Sequence, residues 1–360
     1  MVPRLDPHAP IEELTRTICD IESVSGNEST LADEIQAALA KCAHLEITRD
    51  ADAIVARTNL GRDLRVVIAG HIDTVPVNHN LPVRLEEGTL IGRGTVDMKG
   101  GVAIQLKLAA ELESPRFDVT WIWYDHEEVS AEQNGLGRLA RNHPELLDGS
   151  FAVLCEPTAA EIEGGCNGTL RVEVRAKGVR AHSARAWVGK NAIHGLAPVL
   201  EMLSSYAPRT VEIDGLQYRE SLSAVGVRGG VAGNVIPDEA VLEINYRFAP
   251  NESAKQAASR LTSLILDTGA EGIEVVVTDE ADGARPGLDA PLAKAFVDAV
   301  GGKAKPKYGW TDVARFAALG IPAVNYGPGD PLLAHADLER VEIAQLRSCE
   351  QGLRKWLTIN

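Results

Sequence analysis

The sequence predicts an α/β catalytic part interrupted by a smaller α+β domain. Three observations predict it. Short, continuous apolar runs recur early and late in the chain, as strands buried on both faces of a sheet do. Segments of helical periodicity alternate with them. Between Pro157 and about residue 280 the strands instead alternate apolar and charged residues, the mark of a sheet with one wet face.

The first ~60 residues read as helices. Ile11, Leu14, Ile18 and Ile21 recur at helical spacing, and Leu31, Ile35 and Leu39 do so after the capping signal Ser25-Gly26-Asn27. The run Leu64 to Gly70 (LRVVIAG) is then the first buried strand. Gly100 to Glu113 is a helix, and Val119 to Asp125 and Phe151 to Pro157 are two more buried strands. After Pro157, Thr169 to Gly178 is a half-exposed strand, followed by a helix near Asn191 to Leu203. The strands SAVGVRGG and AVLEINYRF come next, then a helix over about Glu252 to Leu266 and the strand Ile273 to Asp279. This β-α-β-β-α-β order fits a split-βαβ, ferredoxin-like domain. From Asp289 the first pattern resumes with a helix, the buried strand and loop PAVNYGPG, and a last helix from about Glu339. The expected division is a discontinuous catalytic domain, 1–167 and 280–360, with 168–279 inserted.

Composition narrows the function. Of 360 residues, 51 are acidic and 36 basic, a net charge of −15. That excludes a protein that wraps nucleic acid or sits on anionic lipid by general electrostatics. Aromatics at 4% offer few stacking platforms. No apolar stretch approaches a membrane span. The start, MVPRLDPHAP, lacks a secretory pattern. The five cysteines are widely spaced with no CxxC, as expected of reduced thiols in a cytoplasm.

The chemistry gathers at strand ends, where open α/β sheets bind ligands. The first buried strand leads into Gly70-His71-Ile72-Asp73-Thr74-Val75-Pro76, the second into Asp125-His126-Glu127-Glu128, and the third into Cys155-Glu156-Pro157. The motif Gly92 to Gly101 (GRGTVDMKGG) carries Asp97, and Leu333 to Asp337 carries His335. The GRGTVDMKGG stretch lacks the spacing of a phosphate loop. Each placement alone is uninformative. Two histidines and three carboxylates together have the make-up of a site for two divalent metals, zinc by donor type. His126 should point away from the Glu pair if the strand alternation continues.

On the GHxDxVP and GRGxxDMKGG motifs, the chain resembles the M20 family of metallo-aminoacylases and peptidases over nearly its whole length. The resemblance implies a zinc-exopeptidase-like catalytic domain with a mixed central sheet, and a lid and dimerisation domain inserted in it. It also implies two Zn2+ ions, for which Co2+ can substitute. His71 and Glu156 would hold one metal, Glu128 and His335 the other, and Asp97 would bridge them beside a cis peptide to Met98. Glu127 would be the general base and acid, and Asp73 would orient the His71 imidazole. In the lid, His182 would stabilise the oxyanion in a partner subunit's site of a homodimer. Asn234 and Arg247 match substrate-side groups.

Within the family, the segments Cys155 to Thr158, Gly165 to Leu170, Gly309 to Phe316 and Tyr326 to Asp330 resemble one branch. Its reaction is hydrolysis of N-succinyl-LL-2,6-diaminopimelate to succinate and LL-2,6-diaminopimelate, for lysine and cell-wall precursor synthesis. Thr311, Arg315 and Gly327 are candidates for holding the substrate's carboxylates, for which arginine forks and backbone N–H groups are suited. The alternatives are N-acetylornithine deacetylation, release of glutamate by a carboxypeptidase, and a non-catalytic binding relative.

Overall fold

The computed structural model describes residues 3–358. The chain divides into two compact units. One comprises Met1–Gly164, Pro286–Lys305 and Arg315–Asn360; the other comprises Gly165–Arg285 and Pro306–Ala314. The sequence assigned 306–314 to the catalytic part. The chain there bonds instead to the second unit. Asn167 N–H donates to Lys307 O at 3.2 Å, Cys166 Sγ to Thr311 O at 3.6 Å, and Trp310 Nε1 to Asp282 O at 3.1 Å.

The first unit is a mixed sheet covered by helices. Its strands lie in the order Glu46–Asp50, Ala53–Arg57, Asp118–Tyr124, Arg65–His71, Phe151–Leu154, Ala323–Asn325, with the short Glu163–Gly164 beyond. The strands from Asp118–Tyr124 to Ala323–Asn325 run parallel. Asp118–Tyr124, Arg65–His71 and Phe151–Leu154 are almost wholly buried, which is why they read as unbroken apolar runs. Helix Lys99–Glu111 is buried on nearly every face, so it shows no polar stripe. Aromatic rings fill the core beside it. Phe296 and Trp356 stack edge-on with centroids 4.9 Å apart, and Phe151 meets both.

Three expectations change here. Residues 46–57 are a hairpin and not helix, with Glu46 opposite Arg57 and Ala51 turning at φ +51°. What holds its second strand is pairing with Asp118–Tyr124, a contact too distant in sequence for local periodicity to show. The helix after Gly26 starts at Ser29 with Glu28 as its N-cap residue, and Ser25-Gly26-Asn27 does not cap it. The last helix begins at Ile343, because Arg340–Glu342 pairs as a strand with Thr89–Ile91.

The second unit is a four-stranded antiparallel sheet in the order Ser221–Gly229, Glu239–Phe248, Gly168–Lys177, Ile273–Ala281. Leu170, Val172 and Val174 face Leu242, Ile244 and the helix Ala254–Leu266 in its core. That helix is closed by a capping box in which Ser253 and Gln256 satisfy each other's backbone N–H. The expected 191–203 helix is split into Ala192–Gly195 and Ala197–Ser205. A hairpin, Thr210–Ile213 with Leu216–Arg219, was not foreseen. No helix among the described residues is long and apolar enough to cross a membrane.

Candidate metal centre

The parallel strands deliver their chemistry at one end. His71 closes the strand Arg65–His71, and the loops after Asp118–Tyr124 and Phe151–Leu154 carry Glu127, Glu128 and Glu156. Glu156 is placed by two glycines. A Cβ on Gly101 or on Gly327 would stand 2.3 Å from the Cys155 carbonyl oxygen, so only glycine lets the helix start and the 327 loop grip this strand end from both sides.

Among the described residues, three groups of possible ligands each have their ligand atoms within 4.8 Å of one another: His71, Asp97 and Glu156; His71, Glu127 and Glu128; and Asp97, Glu128 and His335. Asp97 joins the first and third. Its Oδ1 lies 3.1 Å from His71 Nε2 and its Oδ2 lies 3.3 Å from His335 Nε2. His335 Nε2 is also 2.9 Å from Glu128 Oε1. The Asp97–Met98 peptide is cis.

The electrostatics are those of an anionic nest. Hydrogen bonds to Asp97 and Glu128 push the His335 imidazole up to about 10, against its partial burial. Burial disfavours a charged ring at His71, yet hydrogen bonds to Asp73 and Asp97 hold it well above the ordinary histidine value. Burial also works against a charged Asp97, but the two imidazoles outweigh it and keep this carboxyl well below its usual range. The carboxylates thus favour positive charge between them. Imidazole nitrogens and carboxylate oxygens are the donors that divalent transition metals take, and such cations would supply that charge. The residues present therefore fit two divalent ions.

Asp73 does more than face an imidazole. His71 Nδ1 lies 3.0 Å from the Asp73 backbone oxygen and 3.3 Å from its Oδ1. The carboxylate also accepts the Glu127 N–H at 3.0 Å, the Glu128 N–H at 3.1 Å and the Ser25 hydroxyl at 2.7 Å. Burial raises its pKa, but the His71 imidazole first, then the Ser25 hydroxyl and the Glu127 N–H, outweigh it and hold it down to about 2. Ser25, read from the sequence as a cap, spends its hydroxyl here.

The loop carrying Glu127 and Glu128 is pinned from behind. Arg138 forks onto the buried Asp125 at 3.0 and 2.7 Å. His126 breaks the strand alternation with φ +57°, so its ring meets Asp125 Oδ2 at 2.7 Å and Glu28 Oε1 at 3.3 Å.

The remaining expected residues are placed as follows. His182 is exposed, and its Nδ1 accepts the Ala184 N–H at 3.0 Å. It pairs across from Val235, and Ser183 N–H donates to Asn234 O at 2.9 Å, so His182 and Asn234 are neighbours. Arg247 sits on the central strand opposite Ser221 and Thr169. Thr311 is buried in the same unit. Arg315 Nη1 occupies the space beside Gly137, 2.8 Å from where a Cβ there would stand. The Gly327 N–H donates to Thr158 Oγ1 at 3.1 Å, and its carbonyl accepts from Thr158 and Ala160. Arg93 and Glu339, which the sequence did not single out, are buried beside the Asp97 loop.

Residues 67–358 match the profile of peptidase family M20/M25/M40. A Mycobacterium tuberculosis protein assigned succinyl-diaminopimelate desuccinylase activity is 53% identical over 348 residues, covering 96% of this chain and 97% of that one. The succinyl-diaminopimelate desuccinylase of Corynebacterium glutamicum is 46% identical over 351 residues, covering 96% and 95%. Among solved structures, a Staphylococcus aureus tripeptidase superposes with a TM-score of 0.79 at 20% identity, covering 99% of each chain, which speaks for the fold.

Proposed function

The chain belongs to peptidase family M20/M25/M40, and we propose that within it this protein hydrolyses N-succinyl-LL-2,6-diaminopimelate to succinate and LL-2,6-diaminopimelate. It is a metal-dependent amide hydrolase. One observation carries the mechanism: Asp97 turns one oxygen to each of two imidazoles, with Glu127 at the edge of the same cluster. The likeness to the corynebacterial and mycobacterial proteins carries the substrate.

His71, Asp97 and Glu156 would hold one divalent cation, and Asp97, Glu128 and His335 the second, with zinc the ion that the nitrogen and oxygen donors suit. When bound, such a pair would lower the pKa of a water and polarise the scissile carbonyl. With the two ions assigned to the other carboxylates and the imidazoles, Glu127 would take a proton from the attacking water and pass it to the leaving amine nitrogen. Adjacent Glu128 turns to His335 and keeps the two roles apart. Asp73 aims both by holding their backbone N–H groups. In the second unit, His182 stabilises the developing oxyanion of a partner subunit in a homodimer. Asn234, Arg247, Thr311 and Arg315 hold the substrate's polar ends. The cysteines, all free thiols, suit a reducing cytoplasm.

The test is a substrate panel of N-succinyl-LL-2,6-diaminopimelate, N-acetylornithine and N-acyl glutamates, with chelator and with added zinc. The expected result is zinc-dependent turnover of the succinylated substrate far above the others. No turnover of it by zinc-loaded protein would refute the assignment.

A further inference from the structure

The loop bearing Asp97 and the segment bearing His335 are joined by one buried ion pair. Arg93 Nη1 donates to Glu339 Oε2 at 2.7 Å, and both side chains are shut from solvent, at 4% and 0% exposure. Glu339 Oε1 accepts the Val96 N–H at 2.9 Å and the Asp97 N–H at 3.1 Å. Arg93 Nη2 reaches the His335 carbonyl at 3.4 Å, and Gly92 N–H donates to the Glu339 carbonyl at 2.9 Å.

His335 needs such support. Its side chain is half exposed, and its backbone sits at φ +63°, a region that residues with a Cβ enter at a cost and keep only when neighbours hold them there. Stability is a poor reason for the ion pair, because two charges moved out of water recover little more than their desolvation cost. What the pair does supply is a fixed link between two backbone points. One is the Asp97 nitrogen and the other is the His335 carbonyl.

We propose that Arg93 and Glu339 are positioning residues that set Asp97 and His335 at the separation a second divalent cation requires. The proposal rests on the two-cation reading above. Without the clasp, the His335 segment is free to leave its left-handed turn. The first ion, held by His71, Asp97 and Glu156 on buried strand ends, loses far less.

The test uses the full chain with zinc or cobalt. The main variant is the double Arg93→Met/Glu339→Gln, which removes both charges together. The second is Arg93→Lys, which keeps the charge but loses the fork to His335. Metal bound per chain at buffered free metal, the visible spectrum of the cobalt form, kcat and KM are all read. The expected result for the double variant is a retained first equivalent and a second bound about 10- to 100-fold more weakly. The cobalt spectrum at two equivalents should change, and kcat should fall with KM near the parent value. Arg93→Lys should show a smaller loss in the same direction, and it decides the matter if the double variant does not fold. Two equivalents held with parental affinity and an unchanged cobalt spectrum would overturn the clasp alone. A parent protein that binds no divalent cation would overturn the two-cation reading and the clasp with it.

Discussion

The Asp73 carboxylate accepts the backbone N–H of Glu127 at 3.0 Å. The next N–H, of Glu128, comes to the same carboxylate at 3.1 Å. One buried side chain therefore sets the direction of both Glu127, the proposed proton-transfer residue, and Glu128, its proposed ligand neighbour, as well as facing His71. Such outer partners matter nearly as much as the ligands themselves. Asp73→Ala should lower kcat by about 10- to 100-fold with KM little changed. Ser25→Ala removes one donor to Asp73, so its cost should be about 1 kcal/mol and a few-fold in kcat. Steady-state kinetics on metal-loaded protein check both, and an Asp73→Ala enzyme of parental kcat would remove this role.

Glu127→Gln should keep the metal content and lose turnover by about 100- to 10,000-fold, the usual worth of a general acid–base. The side chain stays the same size, so the substrate still fits. Metal analysis beside single-turnover rates separates the two effects. A glutamine variant that turns over normally would move the base elsewhere.

Chelation should abolish activity and lower the melting temperature, because ions that bind only the folded chain stabilise it by mass action. Zinc added back should restore both, with the midpoint rising as free metal rises. Scanning calorimetry across a metal titration makes the measurement.

His182→Ala and Glu127→Gln chains, each inactive alone, should regain partial activity when refolded together. In a symmetric dimer one mixed site then has both an intact Glu127 and a partner's intact His182. No rescue, together with a monomeric mass, would confine His182 to its own chain.

Asp118 supplies a pH signature away from the metal centre. Its carboxylate accepts the Leu60 N–H at 2.7 Å, the Arg62 N–H at 2.9 Å and the Thr58 hydroxyl at 3.0 Å. Burial pushes its pKa up, but these donors hold it below the usual carboxylate value. A depressed carboxyl stabilises the fold at pH above its unfolded value near 4, and that contribution fades as pH falls through the folded value. Asp118→Asn should cost about 1–3 kcal/mol at pH 7. The gap in urea midpoint between parent and variant should narrow below pH ~4.

Sequence alone proposed which residues carry the chemistry, and the fold brings His71, Asp97, Glu127, Glu128, Glu156 and His335 together. The buried strands are legible because burial on both faces forces an unbroken apolar run, and His71, Glu127, Glu128 and Glu156 are legible because they follow such runs. What tertiary structure decided is everything set by partners distant in the chain. The 46–57 hairpin exists because Ala53–Arg57 pairs with Asp118–Tyr124, which local periodicity does not record. Ser25 serves Asp73 and not a helix end, and the Gly327 N–H is paired with Thr158. Arg93 and Glu339 meet across 246 residues. Hydrogen bonds of that range are chosen by where the folded chain brings donors to acceptors, and no spacing rule in the sequence encodes them.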